Sequence, residues 1–141
     1  MMMKRISSAR LKGRLKKIFL YGSIIAIAGL LITVSGLMIW IKHDVNKIAA
    51  RAVAIYHKDK VESLLLEIES FEFTFKERNK AVWALGMLRD ERALGKLESL
   101  QTHKKCNHAK GLCQYELKKA ICIIKGDYRA LWQIDNDNYY K

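Results

Sequence analysis

The sequence predicts an all-α protein in which one N-terminal transmembrane helix is followed by a short α-solenoid of helical hairpins. Three observations lead to this fold class. The chain of 141 residues contains no proline, whereas about 5% is usual and proline tends to interrupt helices. A run of 24 residues, 18–41, carries no charged side chain. Beyond that run, apolar residues recur at the three- and four-residue spacing of amphipathic helices.

The uncharged run is long enough to cross a lipid bilayer. As a helix, its 24 residues extend for about 36 Å, and a bilayer core is roughly 30 Å thick. Tyr21 and Trp40 lie near opposite ends of the run, where aromatic side chains contact lipid headgroups. The run exceeds the usual length of a signal-peptide core and ends at 38–42 without a small-residue cleavage site. It is therefore predicted to be the uncleaved signal anchor of a single-pass protein.

The distribution of basic residues predicts the orientation of this helix in the membrane. Residues 1–17 contain seven Lys and Arg residues and no acidic residue, whereas residues 42–58 contain four basic residues. Because cytoplasmic flanks are richer in Lys and Arg, the N-terminus is predicted to be cytoplasmic and the C-terminal domain extracytoplasmic at the cell membrane. No nucleic-acid-binding fold accompanies the basic arm, so the expected partner is the lipid bilayer and no nucleic acid.

Small residues line one face of the predicted transmembrane helix. They recur at spacings of four, three, four and three residues: Gly22, Ala26, Gly29, Thr33 and Gly36. Such a face lets a second helix approach closely, so a homodimer through Gly22, Ala26, Gly29 and Gly36 is one hypothesis. Small residues are also generally common in membrane helices, which leaves an unpaired helix as the other interpretation.

Beyond the span, the pattern predicts a helical stalk and then a series of short helices. The stalk has apolar residues at Val45, Ile48, Ala52 and Ile55. Asp59 is predicted to cap the next helix, and residues 71–75 are expected to form a packed connector because they alternate over too few positions for a sheet. Further helices are predicted at 76–88, 91–101 and 112–125, the last ended by Gly126, with a short turn at 128–134. The predicted domains are a basic arm (1–17), a transmembrane helix (18–41), a stalk (42–57), a repeat domain (58–134) and a polar tail (135–141).

The helical part contains an internal repeat. Residues 90–94 (D-E-R-A-L) are echoed 37 residues later by residues 127–131 (D-Y-R-A-L), a period typical of stacked two-helix units. Residues 84–100 read A-L-G-M-L-R-D-E-R-A-L-G-K-L-E-S-L. They resemble the signature A-L-G-x-L-x-D-x-R-A-L-x-x-L-x-x-L of HEAT-like repeats of the phycobilisome-lyase type. The resemblance is specific over about 78–100 and weaker over 112–131.

The resemblance implies a fold and a class of function. In that family the Asp and Arg lie at the turn joining the two helices of a unit, and the repeats serve mostly as protein-binding surfaces. The resemblance thus places Asp90 and Arg92 at one turn and Asp127 and Arg129 at the next. The chain departs from the family in its long connection at 102–111 and in having barely two repeats, where a free-standing solenoid has three or more. Either the stalk and tail cap the stack, or a partner completes it.

The long connection and the start of the next predicted helix carry a cluster of possible metal ligands: His103, Cys106, His108 and Cys113. Zinc prefers such nitrogen and sulfur donors, but their spacing matches none of the common zinc motifs and three lysines within the loop would repel a cation. In an oxidising compartment, Cys106 and Cys113 would instead form a disulfide. The disulfide, free thiols and a metal site all remain open. Cys122, within a predicted helix, is interpreted as a packing residue.

No catalytic motif is recognisable in the sequence, and neither a catalytic residue nor a cofactor is predicted. A glycine-rich phosphate loop, H-E-x-x-H and G-x-S-x-G are all missing. Trp83 is interpreted as a packing residue, and Lys76 and Arg78 as solvated charges. The predicted function is a non-enzymatic, membrane-anchored adaptor or scaffold that binds an unidentified protein partner. The alternative is a metal-binding or thiol-redox protein centred on Cys106, His108 and Cys113.

Overall fold

A computed structural model describes residues 3–102, 106 and 111–134, and of these the side chains of residues 16–102, 106 and 111–131. Every described element is helical, and the described residues contain no strand, so the all-α prediction is confirmed. The elements are α1 (Met3–Tyr56), α2 (Lys60–Glu69), α3 (Phe75–Leu88), a 3₁₀ turn (Glu91–Ala93), α4 (Leu94–Ser99), α5 (Gln114–Lys125) and α6 (Tyr128–Ile134). The chain divides into two units, residues 1–42 and residues 43–141. The predicted tail at 135–141 lies outside the described residues.

In the first unit, α1 contains a segment that is long and apolar enough to cross a membrane. Every described residue of 16–40 is exposed. The hydroxyl groups of Ser23 and Thr33 donate hydrogen bonds of 2.8 Å to the backbone carbonyls of Leu20 and Leu30. These two hydroxyl groups are therefore satisfied by their own helix, as a helix surrounded by hydrocarbon requires.

In the second unit, the core forms between α2, α3, α4 and α5, and the end of α1 packs into it. The largest fully buried apolar side chains include Leu64, Ile68, Leu85, Leu97 and Leu117. From α1, the unit buries Val45, Ala49 and Ala52.

The buried stripe of α1 overlaps only in part with the apolar stripe noted in the sequence. Val45, Ala49 and Ala52 are buried, whereas Ile48 is partly buried and Ile55 is exposed. The two alanines have short side chains, which allow the neighbouring helices to approach α1 closely. The segment predicted as a stalk therefore contributes to the core of the second unit.

Helix boundaries follow local capping signals. The Asp59 carboxylate accepts hydrogen bonds from the backbone amides of Val61 at 2.8 Å and Glu62 at 3.2 Å, so the predicted cap of α2 is confirmed. Thr74 and Glu77 form a complete capping box at the start of α3. Gly126 ends α5 with a φ of 70°, in the left-handed region that glycine adopts without strain.

The connector between α2 and α3 is less packed than predicted. Phe71 is 94% exposed, so this part of the prediction is wrong. Arg78, predicted as a solvated charge, is instead buried and donates a 2.5 Å hydrogen bond from Nε to the carbonyl of Ile68. The rings of Phe71 and Phe75 lie 5.6 and 5.2 Å from its guanidinium carbon. Arg78 thus joins the end of α2 to α3 and packs between aromatic rings.

The later helices are shorter than predicted. The continuous helix expected at 91–101 is a 3₁₀ turn followed by α4, and α5 begins at Gln114, two residues after the predicted start. The helices α3 and α5 are in close contact at Gly86. A Cβ atom at this position would lie 2.9 Å from the Cα and 3.0 Å from the Cβ of Ala120. Only glycine therefore fits at Gly86 without movement of a helix.

Replacement of Gly86 tests this close contact. We expect Gly86→Ala to lower the free energy of unfolding by about 1–3 kcal/mol, because overpacking forces α3 and α5 apart. The matched control is Gly95→Ala, since a Cβ at Gly95 meets nothing within 4 Å; helix propensity alone should raise its stability by up to about 1 kcal/mol. Denaturant unfolding of the full chain in detergent micelles, followed by circular dichroism, measures both. Equal effects of the two changes would contradict the close contact.

Candidate functional site

An open groove of about 530 Å³ lies within the second unit, between α1, α3 and α5. The residues that line it are Asp44, Ile48, Lys76, Asn79, Lys80, Trp83 and Glu116. Four of these belong to α3 and recur at the three- and four-residue spacing of a single helix face. The groove is therefore built mainly by the face of α3 that lies away from its buried residues Ala81, Ala84 and Leu85.

Trp83 is the largest side chain in the groove, and the sequence interpretation of it was incomplete. The indole is only partly buried and lines the groove, whereas the sequence suggested packing alone. The sequence does contain a signal for this position, because Trp83 lies on the same helix face as Lys76, Asn79 and Lys80. A tryptophan on the polar face of an amphipathic helix is typical of a contact surface more than of a core.

Three of the four charged groups of the groove form no ion pair within the described part of the chain. Among the described residues, no ion pair involves Asp44, Lys76 or Lys80, and Glu116 has only a long one, 3.8 Å from Lys119. The groove thus presents two ammonium groups and two carboxylates around one indole. Such an arrangement can orient a ligand through charge while the indole supplies apolar contact.

The groove is joined to the pair of cysteines at the start of α5. The Asn79 side-chain oxygen accepts a 2.9 Å hydrogen bond from the backbone amide of Cys113. The Sγ atoms of Cys106 and Cys113 lie 3.3 Å apart, and the amide of Tyr115 donates to Cys106 Sγ, also at 3.3 Å. Burial raises the pKa of the Cys113 thiol to about 11. Cys122 is buried in α5, which agrees with its interpretation as a packing residue.

Of the four predicted metal ligands, the structure describes two. Cys106 and Cys113 are in contact, whereas His103 and His108 lie outside the described residues. Within the described part of the chain, no group of three His, Cys, Asp or Glu side chains could hold a metal ion. The metal-binding alternative therefore stays a prediction from the sequence.

The two predicted repeat turns differ in their contacts. Arg92 donates to the Asp90 carboxylate at 2.9 Å and to the Asp59 carboxylate at 3.1 Å, so it joins its own turn to the start of α2. Its guanidinium holds the pKa of Asp90 below the usual range. At the second turn, Asp127 accepts a 3.1 Å hydrogen bond from the amide of Ala130, and no ion pair with Arg129 occurs among the described residues. Both aspartates cap the elements that follow them, which is a structural role.

A fully buried carboxylate, Glu67, lies beside the end of α1 and was missed by sequence reasoning. It pairs with the guanidinium of Arg51, which also lies 3.5 Å from the Glu77 carboxylate and 5.7 Å from the ring of Phe73. Burial raises the pKa of Glu67, and the positive charge of Arg51 opposes this effect only in part. One Glu67 oxygen is buried with no hydrogen-bond partner. The sequence held no signal for this pair, because its two members are 16 residues apart.

Glu67→Gln tests the burial of this acid. A raised pKa means that the folded state binds the proton more tightly, so this contribution to stability is present below the ordinary value of 4.5 and is lost as pH rises through the folded-state pKa. Glutamine resembles the protonated acid. The stability of Glu67→Gln relative to the natural protein should therefore increase as pH rises.

Denaturant unfolding in micelles between about pH 4 and pH 8 measures this trend. Glu72→Gln, at an exposed turn position, is the control for the loss of one carboxylate. A stability difference for Glu67→Gln that stays constant or falls with increasing pH would contradict the expectation.

Comparison with known proteins identified no relative of this chain. No protein-family model, no curated protein and no solved structure matches the chain. The resemblance of residues 78–100 to HEAT-like repeats therefore remains a prediction, and a function must be argued from the geometry of the groove and of the cysteine pair.

Proposed function

We propose that the protein is a single-pass, membrane-anchored helical module that binds a protein partner, without catalysis, through the groove around Trp83. The observation that carries this proposal is the groove itself, because it combines a partly exposed indole with Asp44, Lys76 and Lys80, which form no ion pair among the described residues. Tryptophan is among the residues that contribute most to protein interfaces. The anchor would hold the binding face at the membrane and raise its effective concentration there.

The anchor is supported by the exposed apolar segment of α1. Soluble proteins rarely expose a contiguous apolar surface of this size, whereas residues 16–40 are exposed along their whole length. A bilayer would cover that surface. The excess of basic residues in 1–17 supports a cytoplasmic N-terminus and an extracytoplasmic second unit.

The mode of binding is supported by the shape and chemistry of the groove. A volume of about 530 Å³ suits a few side chains of a partner segment. Lys76, Lys80 and Asp44 would pair with charges on that segment and select its orientation, while Trp83 and Ile48 supply apolar contact. The hairpins α3–α4 and α5–α6 would then serve as two HEAT-like units, and the partner would extend the short stack.

The proposed anchor and orientation predict a labelling pattern. In a background of Cys106→Ser, Cys113→Ser and Cys122→Ser, we expect Glu91→Cys to react with a membrane-impermeant maleimide on intact cells. Ser8→Cys, in the basic arm, should react only after permeabilisation. The protein should also stay in the membrane after alkaline carbonate extraction. Extraction into the soluble fraction would contradict the anchor, and the reverse labelling pattern would contradict the orientation.

The proposed binding site predicts the position of a crosslink. A photoreactive amino acid in place of Lys80, in the full chain in its native membrane, should yield one discrete adduct, which mass spectrometry can identify. The identified partner, purified and added in excess, should compete with the endogenous partner for the groove. Trp83→Ala should reduce the yield by about ten-fold or more, the effect of losing an interface tryptophan.

The matched control is Phe71→Ala, which removes an exposed aromatic ring outside the groove. It should leave the adduct unchanged. If Trp83→Ala keeps its helical spectrum and gives the same adduct yield as the unchanged chain, the groove is not the binding site.

A further inference from the structure

The two cysteines of the pair differ in their exposure to solvent. Cys113 is 1% exposed, whereas Cys106 is only partly buried. Their sulfur atoms are 3.3 Å apart, and a disulfide needs about 2.05 Å, so a small movement of one side chain would join them. Cys106 is thus the more accessible residue of the pair, and the buried Cys113 lies in contact with it.

The surroundings of the two sulfur atoms strengthen this asymmetry. Cys106 Sγ accepts a hydrogen bond from the amide of Tyr115, which lies in the first turn of α5. Cys113 occupies the N-cap position of α5, and its backbone amide is held by Asn79. The buried sulfur is therefore fixed in place beside the accessible one.

We propose that Cys106 and Cys113 form a thiol–disulfide exchange site, in which Cys106 reacts with an incoming disulfide and Cys113 resolves the mixed disulfide. The co-reactant is a disulfide of general form RSSR, either a small molecule or an exposed protein disulfide. The site is separate from the binding function of the groove and does not depend on it.

The proposed reaction has two balanced steps. First, Cys106 releases its proton to solvent and attacks one sulfur of RSSR; the S–S bond breaks, and RS⁻ leaves and takes up a proton. Second, Cys113 releases its proton and attacks Cys106 Sγ, which breaks the mixed disulfide and expels the second RS⁻, again protonated by solvent. The two cysteines are oxidised by two electrons in total, RSSR is reduced to two RSH, and the reverse sequence reduces a disulfide.

Oxidised glutathione, added to the full chain in detergent micelles, tests the order of these steps. Intact-protein mass and the count of maleimide-reactive thiols after unfolding of the quenched protein are the two readouts. The natural protein should lose two reactive thiols and retain no glutathione. Cys113→Ser and Cys113→Ala should each retain one glutathione, on Cys106. Cys106→Ser should react about ten-fold or more slowly, because the remaining sulfur of the pair is buried.

Cys122→Ser is the matched control, since this thiol is also buried but lies farther along α5, and it should react as the natural protein does. Two different substitutions at Cys113 show whether the retained glutathione is due to the missing resolving thiol or to a folding defect. Circular dichroism would detect the folding defect. Three outcomes would overturn the proposal: glutathione retained on the natural protein, no loss of thiols, or equal reaction rates of Cys106→Ser and Cys113→Ser.

Discussion

The second unit includes the end of α1, which is joined to α2 by the ion pair between Arg51, partly exposed, and Glu67, fully buried. A carboxylate with no exposed surface is stable only beside a compensating charge, and here that charge comes from the helix that also carries the apolar span. Val45, Ala49 and Ala52 are buried in the same region. The end of α1 is therefore a core helix of this unit, and a boundary placed at residue 58 would leave Glu67 without its partner.

Local features of the fold were predictable from the sequence, whereas contacts between distant segments were not. The apolar run, the Asp59 cap and the Gly126 terminus each depend on neighbouring residues, so a short window of sequence contains the whole signal. The buried Arg78 donates a hydrogen bond to the Ile68 carbonyl, and its guanidinium lies near Phe71 of the preceding connector and Phe75 at the start of α3. No spacing within α3 distinguishes it from a solvated arginine.

The two candidate sites were visible in the sequence to different degrees. The spacing of Cys106 and Cys113 allowed a disulfide, free thiols or a metal site, and only the structure shows that their sulfur atoms are in contact. The spacing in the sequence places all the groove residues of α3 on one polar helix face. Asp44 and Glu116 were not, because they reach the groove from α1 and α5, and the packing of three helices places them there.

The close contact at Gly86 has a consequence for the groove. Gly86 lies three residues after Trp83 on α3, and Ala120 lies four residues after Glu116 on α5. The glycine–alanine contact is thus one helical turn from the groove across the same pair of helices. The spacing of α3 and α5, and with it the width of the groove, is set by a residue that has no side chain and lines no part of it.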